Sequence, residues 1–408
     1  MAERSPLTAA STHAVAAGDR LRSLDVFRGA TIAAMLVVNN PGTWGAVYPP
    51  LLHAEWHGWT PTDLIFPFFL FIVGVTTHLS LTARRARGDT DAALLRQILR
   101  RGGLIFFWGF VLSAFPFFST GPLAGSADPT FLDRVVTRFE HLRFLGVLQR
   151  IGLAYVAAAL LTFRTTLKQQ IAVLAVLLYG YWFAMTLLPV PGHGVGVLLL
   201  DSRGDNLAAH LDRWILGLDH VWPGSRVFDP EGPLSTIPAV GTAMLGVLAG
   251  RWIGGGKPLG ERIEGLFVAG FAATVLGLAW GWSFPINKSL WTSSYALFTA
   301  GAGAAALAAC MWIIDRQRVT WWTTPLTVFG VNPLVAFVGS GLMARLIYSL
   351  LDVQVGGETV SVQAAIYQAL FASWLEPRDA SFAFALCFTG FWLLVLLALY
   401  RRKIFIRL

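Results

Sequence analysis

The sequence has 408 residues, of which 55% are hydrophobic and 13% are charged, and its mean hydropathy is +0.60. A soluble globular domain carries about 25% charged residues, so this composition excludes an ordinary water-soluble protein. The net charge of +8 does not indicate a nucleic-acid-binding protein, because membrane topology explains where the basic residues lie. Both cysteines, Cys310 and Cys387, fall in apolar runs, which argues against a disulfide framework.

Residues 1–20 are small and polar and contain no apolar segment. They lack the core of a cleaved signal peptide, and we predict a disordered cytoplasmic tail. From residue 21 onwards, apolar runs recur to the end of the chain, and each is long enough to cross a ~30 Å hydrocarbon core. We therefore predict an all-α polytopic membrane helix bundle in which residues 21–408 form a single transmembrane domain.

The apolar runs predict about ten transmembrane helices. They lie near residues 24–40, 61–83, 102–119, 143–163, 170–188, 233–250, 263–282, 292–314, 323–345 and 380–400. The connecting segments on one side hold 20 Lys and Arg residues, and those on the other side hold 8. Because cytoplasmic loops carry the excess of basic residues, we predict that the first side and both termini are cytoplasmic. Basic residues there would also contact membrane lipids.

The predicted outer side contains one long loop, at about 189–232, which is rich in Gly, Pro and Asp. Loops of this length usually serve binding or gating. The run 364–375 is too short for a comfortable membrane span, so we predict an interfacial or re-entrant helix there.

Two histidines, His53 and His57, lie in the outer loop 41–60, which has no Lys or Arg. A neutral imidazole is a natural general base near pH 7 and can also act as a nucleophile. A four-residue spacing would suit two metal ligands on a helix. The surroundings do not predict a helix, however, and no third ligand follows, so we predict no metal site.

Several other polar residues lie at the ends of predicted spans, where ionisable groups are costly and often functional. Asp25 and Arg28 are three residues apart on one helix face, which predicts either a local ion pair or a functional pair. Thr60, Pro61 and Asp63 form a conventional helix start, and Asp63 would also face the histidine loop.

Arg150 lies one or two turns into its predicted span and must face the bundle interior, a partner acid or water. The outer loops bring several further polar side chains to one side of the membrane. These are His53, Asp229, Glu231, Asn287 and Lys288.

Five blocks of the sequence, in this order, resemble the membrane domain of the heparan-α-glucosaminide N-acetyltransferase family. The blocks are RSLDVFRGATIAAMLVVNN, HAEWHGWTPTDLIFPFFLFIVG, RFLGVLQRIGLAY, FDPEGPLSTIPAVGTAMLGVLAG and FPINKSLWTSSYAL. The family includes lysosomal proteins and bacterial relatives, and the resemblance covers roughly residues 20–345. One departure is the stretch between Asn39 and His53, which is longer and richer in proline than the family pattern.

The resemblance implies a transmembrane acyltransferase. It would take an acetyl group from cytosolic acetyl-CoA, a co-substrate, and transfer it to the amine of a glucosamine-type amino sugar on the outer face. It also implies a multi-pass protein of the bacterial inner (plasma) membrane, with the active histidine on the periplasmic side, and a homodimer. Nucleic acid is not an expected partner.

The resemblance also implies roles for individual residues. The HAEW motif carries the active histidine, which is His53 here, and the matching asparagine and Asn-Lys pair add Asn39, Asn287 and Lys288 as catalytic residues. For binding acetyl-CoA we predict Arg84, Arg85, Arg150 and Trp291, and Arg100 and Arg101 are further candidate partners of its phosphates. For binding the acceptor we predict Trp56, Asp63, Asp229 and Glu231.

Alternatives stay open at this point. A transporter or flippase without covalent chemistry would show paired, broken helices in two similar halves, and the sequence contains no convincing repeat. An O-acyltransferase on a similar scaffold, or one with a longer acyl donor, would share the same residues. Direct transfer and transfer through an acetyl-histidine are both open, as is the identity of the acceptor.

Overall fold

The computed structural model describes residues 21–123 and 128–406, so the predicted tail 1–20 lies outside the described residues. The described chain is mainly α-helical. The α-helices, labelled α1 to α14 in chain order, are Arg22–Asn39, Ile65–Ala86, Asp91–Ala114, Phe131–Glu140, Val147–Phe163, Leu167–Leu187, Leu207–Leu216, Pro233–Ile253, Leu259–Trp280, Ser293–Cys310, Thr323–Val331, Pro333–Ser349, Val362–Tyr367 and Pro377–Arg401.

Two small antiparallel hairpins complete the described secondary structure, apart from short 3-10 and π-helical segments. The first pairs β1 (Pro189–Val190) with β2 (Gly194–Val195), and the second pairs β3 (Asp352–Val355) with β4 (Glu358–Ser361). Each hairpin pairs two strands of only two to four residues, so the all-α class predicted from the sequence is confirmed.

Six helical segments in the described residues are long and apolar enough to cross a membrane. They are Pro61–Ala86, Leu167–Leu187, Pro233–Ile253, Leu259–Trp280, Ser293–Arg316 and Pro377–Arg401. α1, α3 and α5 overlap the predicted spans, but α1 and α3 carry charged residues and α5 has only 17 residues. The structure thus describes a multi-pass helical membrane protein, while the count of about ten spans and the cytoplasmic termini stay predictions.

The single span predicted over 323–345 is a correction, because it is two helices. α11 and α12 are bent by 82° at Asn332, and the pair would make a seventh span if it crosses the membrane as one unit. Pro333 lacks a backbone N–H and disfavours a helical conformation of the residue before it. The Asn332 side chain at this bend donates to the Ile404 carbonyl at 3.1 Å and accepts the Ile406 N–H at 2.9 Å.

Short helices also replace parts of the predicted outer loops. α4 begins at the Thr130 cap, whose hydroxyl accepts the Asp133 N–H at 3.2 Å, and α7 begins at Asn206, whose side chain accepts the Ala209 N–H at 3.0 Å. The run predicted as a short helix at 364–375 is a short apolar helix at Val362–Ala372. Its position relative to a membrane stays a prediction.

Close packing of α2 against α8 fixes the helix that carries the candidate site. A Cβ atom at Gly74 would lie 1.9 Å from the Ala243 carbonyl oxygen, and one at Gly246 would lie 2.1 Å from that of Phe71. Only glycine permits this approach, and small residues at helix crossings are typical of membrane bundles. α2 also packs on α1, α5 and α10, so its N-terminus is held from several sides.

Candidate active site

A pocket of about 560 Å³ opens where α1 ends and α2 begins. It collects many of the residues predicted from the sequence, although they are far apart in the chain. Those that line the pocket are Asn39, His53, Trp56, Asp63, Glu231 and Lys288.

His53 and Asp63 form a hydrogen-bonded pair within the pocket wall. Asp63 is almost fully buried at the start of the span, where one carboxylate oxygen accepts the backbone N–H groups of Ala54 and Thr60, both at 3.0 Å. Its other oxygen lies 2.6 Å from His53 Nδ1. Because an ionised carboxylate only accepts, His53 carries its proton on Nδ1 and leaves the Nε2 lone pair available. The predicted helix start at Thr60 is confirmed.

Lys288 brings a cation against this pair. Its Nζ lies 3.0 Å from Nδ1 and 3.3 Å from Nε2 of His53, and 3.4 Å from an oxygen of Asp63. Burial lowers the pKa of Lys288, and the nearby carboxylates of Asp63 and Glu231 oppose that shift. The ammonium can donate to an oxygen on which negative charge develops.

A second group of charged side chains in the pocket surrounds Arg143. Arg143 Nε donates to Asp229 at 2.8 Å, and its Nη2 contacts both Asp229 and Glu231. Burial alone would raise the pKa of Glu231, but Arg143 and then Arg150 outweigh it and hold that pKa below its usual range. Glu231 lines the pocket, whereas Asp229 is buried behind it as a partner of Arg143.

Sequence reasoning did not single out Arg143, although it begins the block RFLGVLQRIGLAY. Its partners lie 86 and 88 residues away in the chain, so only the position of Arg143 at the head of a matching block could have drawn attention to it.

Arg150 and Trp291 lie beneath the pocket rather than in its wall. Arg150 is fully buried, as predicted for a residue that faces the bundle interior, and it donates to Ser235 and, at 3.3 Å, to the Gly232 carbonyl. Its guanidinium lies 5.2 Å from the Trp291 ring, whose indole N–H donates to Thr242 at 3.0 Å. Neither residue lines the pocket or the smaller, mainly apolar cavity adjacent to it, and their predicted contact with the donor stays a prediction.

A smaller cavity of about 260 Å³, called the inner cavity below, lies further along α1 and is lined mainly by apolar side chains. Arg28, Arg101 and Tyr155 are the lining residues with polar side chains. Four residues line both this cavity and the pocket, so the two spaces are adjacent inside the bundle. The shared residues are Met35, Phe66, Val147 and Phe337.

The structure places the predicted donor-binding residues Arg84 and Arg85 elsewhere. Arg84 pairs with Asp89, and Arg85 donates to the Phe163 carbonyl at the end of α5. Neither lines the inner cavity, whereas Arg101, which was also predicted to contact the donor phosphates, does. Local ion pairs explain Arg84 and Arg85, as the charge rule for cytoplasmic segments also does.

The outer segment 189–232 covers part of the pocket. Trp56 Nε1 donates to the Leu200 carbonyl at 2.9 Å, and the Trp56 ring meets the edge of Phe228 at 5.5 Å between centroids. Arg203 donates to the Glu55 carbonyl at 2.8 Å. Pocket-lining residues of this segment that sequence reasoning missed include Arg203, Trp222 and Phe228.

His57 and Asn287 lie beside the pocket without lining it. His57 Nε2 is 2.9 Å from Asp201, and its Nδ1 is 3.3 Å from the Asn287 amide nitrogen. Asn287 is fully buried, and its predicted catalytic role stays a prediction. Within residues 21–123 and 128–406, no group of three or more His, Cys, Asp and Glu side chains could hold a metal ion.

The fold and the pocket together define a multi-pass helical membrane protein with a His–Asp–Lys cluster at one end of the bundle. A model of the heparan-alpha-glucosaminide N-acetyltransferase catalytic family matches residues 20–256. The chain therefore belongs to the heparan-alpha-glucosaminide N-acetyltransferase family, as the sequence blocks predicted.

Two relatives carry the name heparan-alpha-glucosaminide N-acetyltransferase. The protein of Homo sapiens is 30% identical over 95% of this chain, and the protein of Mus musculus is 28% identical over the same share. The chain spans 59% of the length of the first relative and 60% of the second.

Proposed function

We propose that this protein transfers an acetyl group from acetyl-CoA to the amine of a glucosamine-type amino sugar, with His53 at the reacting centre. The observation that carries this proposal is the His53–Asp63–Lys288 cluster in a pocket that shares a wall with an inner cavity. A general base, a group that holds its tautomer and a cation beside it are the parts that acyl transfer requires.

The two cavities support separate routes for the two substrates. Acetyl-CoA is too polar to cross a bilayer, whereas its pantetheine arm is thin enough to enter an apolar channel. Its phosphates would stay near Arg28 and Arg101 at the start of the path, as charge-assisted contacts. The acceptor would enter the opposite pocket, where Trp56, Trp222 and the ionised Glu231 suit a sugar that carries an amine.

In direct transfer, His53 Nε2 removes a proton from the acceptor amine as its nitrogen attacks the thioester carbonyl. Negative charge then develops on the carbonyl oxygen, and Lys288 or Asn39 donates a hydrogen bond to it. When the intermediate collapses, the C–S bond breaks and the CoA thiolate takes the proton from His53. Asp63 keeps the imidazole in the required tautomer throughout.

In the two-step alternative, His53 Nε2 attacks the thioester itself and releases the CoA thiolate. The acetyl-imidazole then passes its acetyl group to the acceptor amine, whose proton leaves on the freed histidine or to solvent. Both routes use the same side chains, and the exposure of 54% of the His53 side chain suits either.

We further propose that the protein lies in the bacterial inner (plasma) membrane as one domain over residues 21–408, with His53 on the periplasmic side. The distribution of Lys and Arg supports this orientation. The homodimer implied by the family resemblance stays a prediction. A transporter has less support, because the described residues contain one bent helix pair rather than the two that an inverted repeat would provide.

The test is acetyl transfer from labelled acetyl-CoA by the purified protein, with glucosamine and a chromogenic glucosaminide as acceptors. We expect transfer by the wild type and none by a folded His53→Ala variant. Label that stays on the wild type when no acceptor is present would favour the acetyl-histidine route. A folded wild type that neither binds CoA nor releases it from acetyl-CoA would overturn the proposal.

A further inference from the structure

Residues 55–57 of the histidine loop are bonded to a short turn, residues 200–203, of the segment that covers the pocket. Two of the bonds, through the side chains of Trp56 and Arg203, are described above. The third joins His57 Nε2 to Asp201 at 2.9 Å. The His57 ring has a second hydrogen-bond partner, the side-chain amide of Asn287.

The donor and acceptor roles at His57 follow from the backbone hydrogen bond that orients the Asn287 amide. The Asn287 side-chain oxygen accepts the Leu290 N–H at 2.8 Å, which places the amide nitrogen 3.3 Å from His57 Nδ1. An amide N–H only donates, so Nδ1 must accept. The ring proton is therefore on Nε2, where the Asp201 carboxylate accepts it. This single neutral tautomer satisfies both neighbours of His57.

Asn287, the second partner of His57, precedes a residue of the reacting centre in the chain. Asn287 is followed by Lys288, whose Nζ lies 3.0 Å from His53. A second bond, from the Gly58 N–H to the Ile286 carbonyl at 2.8 Å, holds the same turn against the histidine loop. Of these two connections, only the one through His57 continues to the outer turn 200–203.

We propose that His57 is a positioning residue, which connects the outer turn 200–203 to Asn287 and thereby fixes the Lys288 ammonium against His53. The inference rests on the proposed function, since it deepens the role of the same site. His57 does not line the pocket, so it acts through Lys288 rather than on a substrate. The arrangement couples the cation at the reacting centre to the segment that covers the acceptor pocket.

Two substitutions at His57 distinguish its bond to Asp201 from its bond to Asn287. His57→Phe keeps a ring of similar size and removes both bonds. His57→Asn places an amide oxygen near the position of Nδ1, so it can accept from Asn287 but does not reach Asp201. His193→Phe is the matched control, because His193 lies in the same segment as Asp201 and its ring pairs with Asp205, at 3.5 Å, away from Asn287.

We expect His57→Phe to lower kcat about tenfold, because the Asn287 amide loses its acceptor and Lys288 its fixed position. The KM for acetyl-CoA should stay within about twofold, since the donor occupies the other cavity. His57→Asn should recover most of kcat, and His193→Phe should match the wild type. A His57→Asn variant as slow as His57→Phe would overturn the role assigned to the Asn287 bond.

A second measurement does not depend on acetyl transfer. The chain has four lysines, Lys168, Lys257, Lys288 and Lys403, so labelling by an amine-reactive reagent can be followed at each by mass spectrometry. The ratio of Lys288 to Lys257 labelling should rise at least about threefold in His57→Phe and stay unchanged in His57→Asn and His193→Phe.

Unchanged kcat and an unchanged labelling ratio in a folded His57→Phe variant would overturn the inference. If the wild type transfers no acetyl group to any acceptor, the proposed function fails, while the labelling ratio still decides whether His57 positions Lys288. Size-exclusion chromatography and the thermal midpoint in detergent establish folding for each variant.

Discussion

The outer pocket and the inner cavity are adjacent, yet they are built in opposite ways. In the pocket, charged side chains lie in hydrogen-bonded pairs. Asp63 contacts His53, and Arg143 donates to Glu231. The inner cavity is lined by aliphatic and aromatic side chains, with two arginines and a tyrosine as its polar exceptions.

This difference indicates a division of tasks. A preorganised polar network costs little rearrangement during a reaction and is strongest where water is excluded, which suits bond making. An apolar channel provides few directional contacts and suits passage of a thin, flexible arm. Substitutions in the pocket should therefore change kcat, and substitutions in the cavity should change the KM for the donor.

The largest effect should come from Asp63→Asn. The oxygen of the new amide must take the position that accepts the Ala54 and Thr60 N–H groups, which leaves its NH₂ facing His53 Nδ1. His53 would then carry its proton on Nε2 and could act neither as base nor as nucleophile. We expect kcat to fall on the order of 1,000-fold or more, measured as CoA release with saturating substrates.

Asp63→Glu serves as the companion variant, because it keeps an acceptor facing the ring and should retain more activity than Asp63→Asn. Equal activities of the wild type and a folded Asp63→Asn variant would show that the tautomer of His53 does not matter, and would remove the pair from the mechanism.

The next effect concerns Lys288. Lys288→Met keeps the length of the side chain and removes its charge, so the developing oxyanion loses a donor. We expect kcat to fall on the order of 100-fold, with little change in the KM for acetyl-CoA. Steady-state kinetics with both substrates varied measures this split. A raised donor KM with normal kcat would place Lys288 on the binding path instead.

A smaller effect, on the KM for acetyl-CoA, should distinguish the role of the inner cavity from that of the pocket. Arg101 lines the cavity with its guanidinium 4.9 Å from the Tyr155 ring. Arg101→Gln should raise the KM for acetyl-CoA about tenfold, the loss of one charge-assisted contact, and leave kcat unchanged. Arg84→Gln is the matched control, because Arg84 pairs with Asp89 outside the cavity.

S-acetylpantetheine sharpens this test, since it lacks the nucleotide phosphates. Its KM should be the same for the wild type and Arg101→Gln. An equal loss with both donors would mean that Arg101 shapes the cavity rather than contacts a phosphate.

The sequence predicted the helices and the residues of the site better than it predicted their partners. His53, Asp63 and Lys288 belong to ordered blocks, and Thr60 with Asp63 is a local helix-start pattern, so short-range information was enough. The break at Asn332 was also readable, because Pro333 lies inside the predicted span 323–345.

Partners that meet only in the folded chain were beyond such reasoning. Arg143 meets Asp229 across 86 residues, and His57 meets Asn287 across 230. Arg84 was predicted from its position in a basic segment, which local ion pairing explains equally well. The distribution of charge predicts the side of the membrane on which a residue lies, and periodicity predicts the helix face that it occupies. Which of two arginines on one side lines the inner cavity depends on tertiary packing.

The smallest effect should appear in stability rather than in rate, at Asp212 behind the pocket. Burial raises the pKa of Asp212 to about 7, and the Asp229 carboxylate adds to that shift, while the Asp229 N–H, Arg150 and Arg213 oppose it. The protonated form is therefore favoured in the folded protein. The stability that this provides is complete below the unfolded pKa near 3.8 and is lost as pH rises through about 7.

Asp212→Asn removes this titration and keeps an oxygen that can accept the Asp229 N–H, which is 2.9 Å away in the wild type. We expect the thermal midpoint of the wild type in detergent to fall by a few degrees between about pH 5 and pH 8 relative to that of Asp212→Asn. Because Asp212 does not line the pocket, kcat at pH 7 should change less than about twofold. Parallel midpoint curves for the two proteins would mean that Asp212 is ionised throughout this range, and that the charges around Arg143 and Arg150 already balance it.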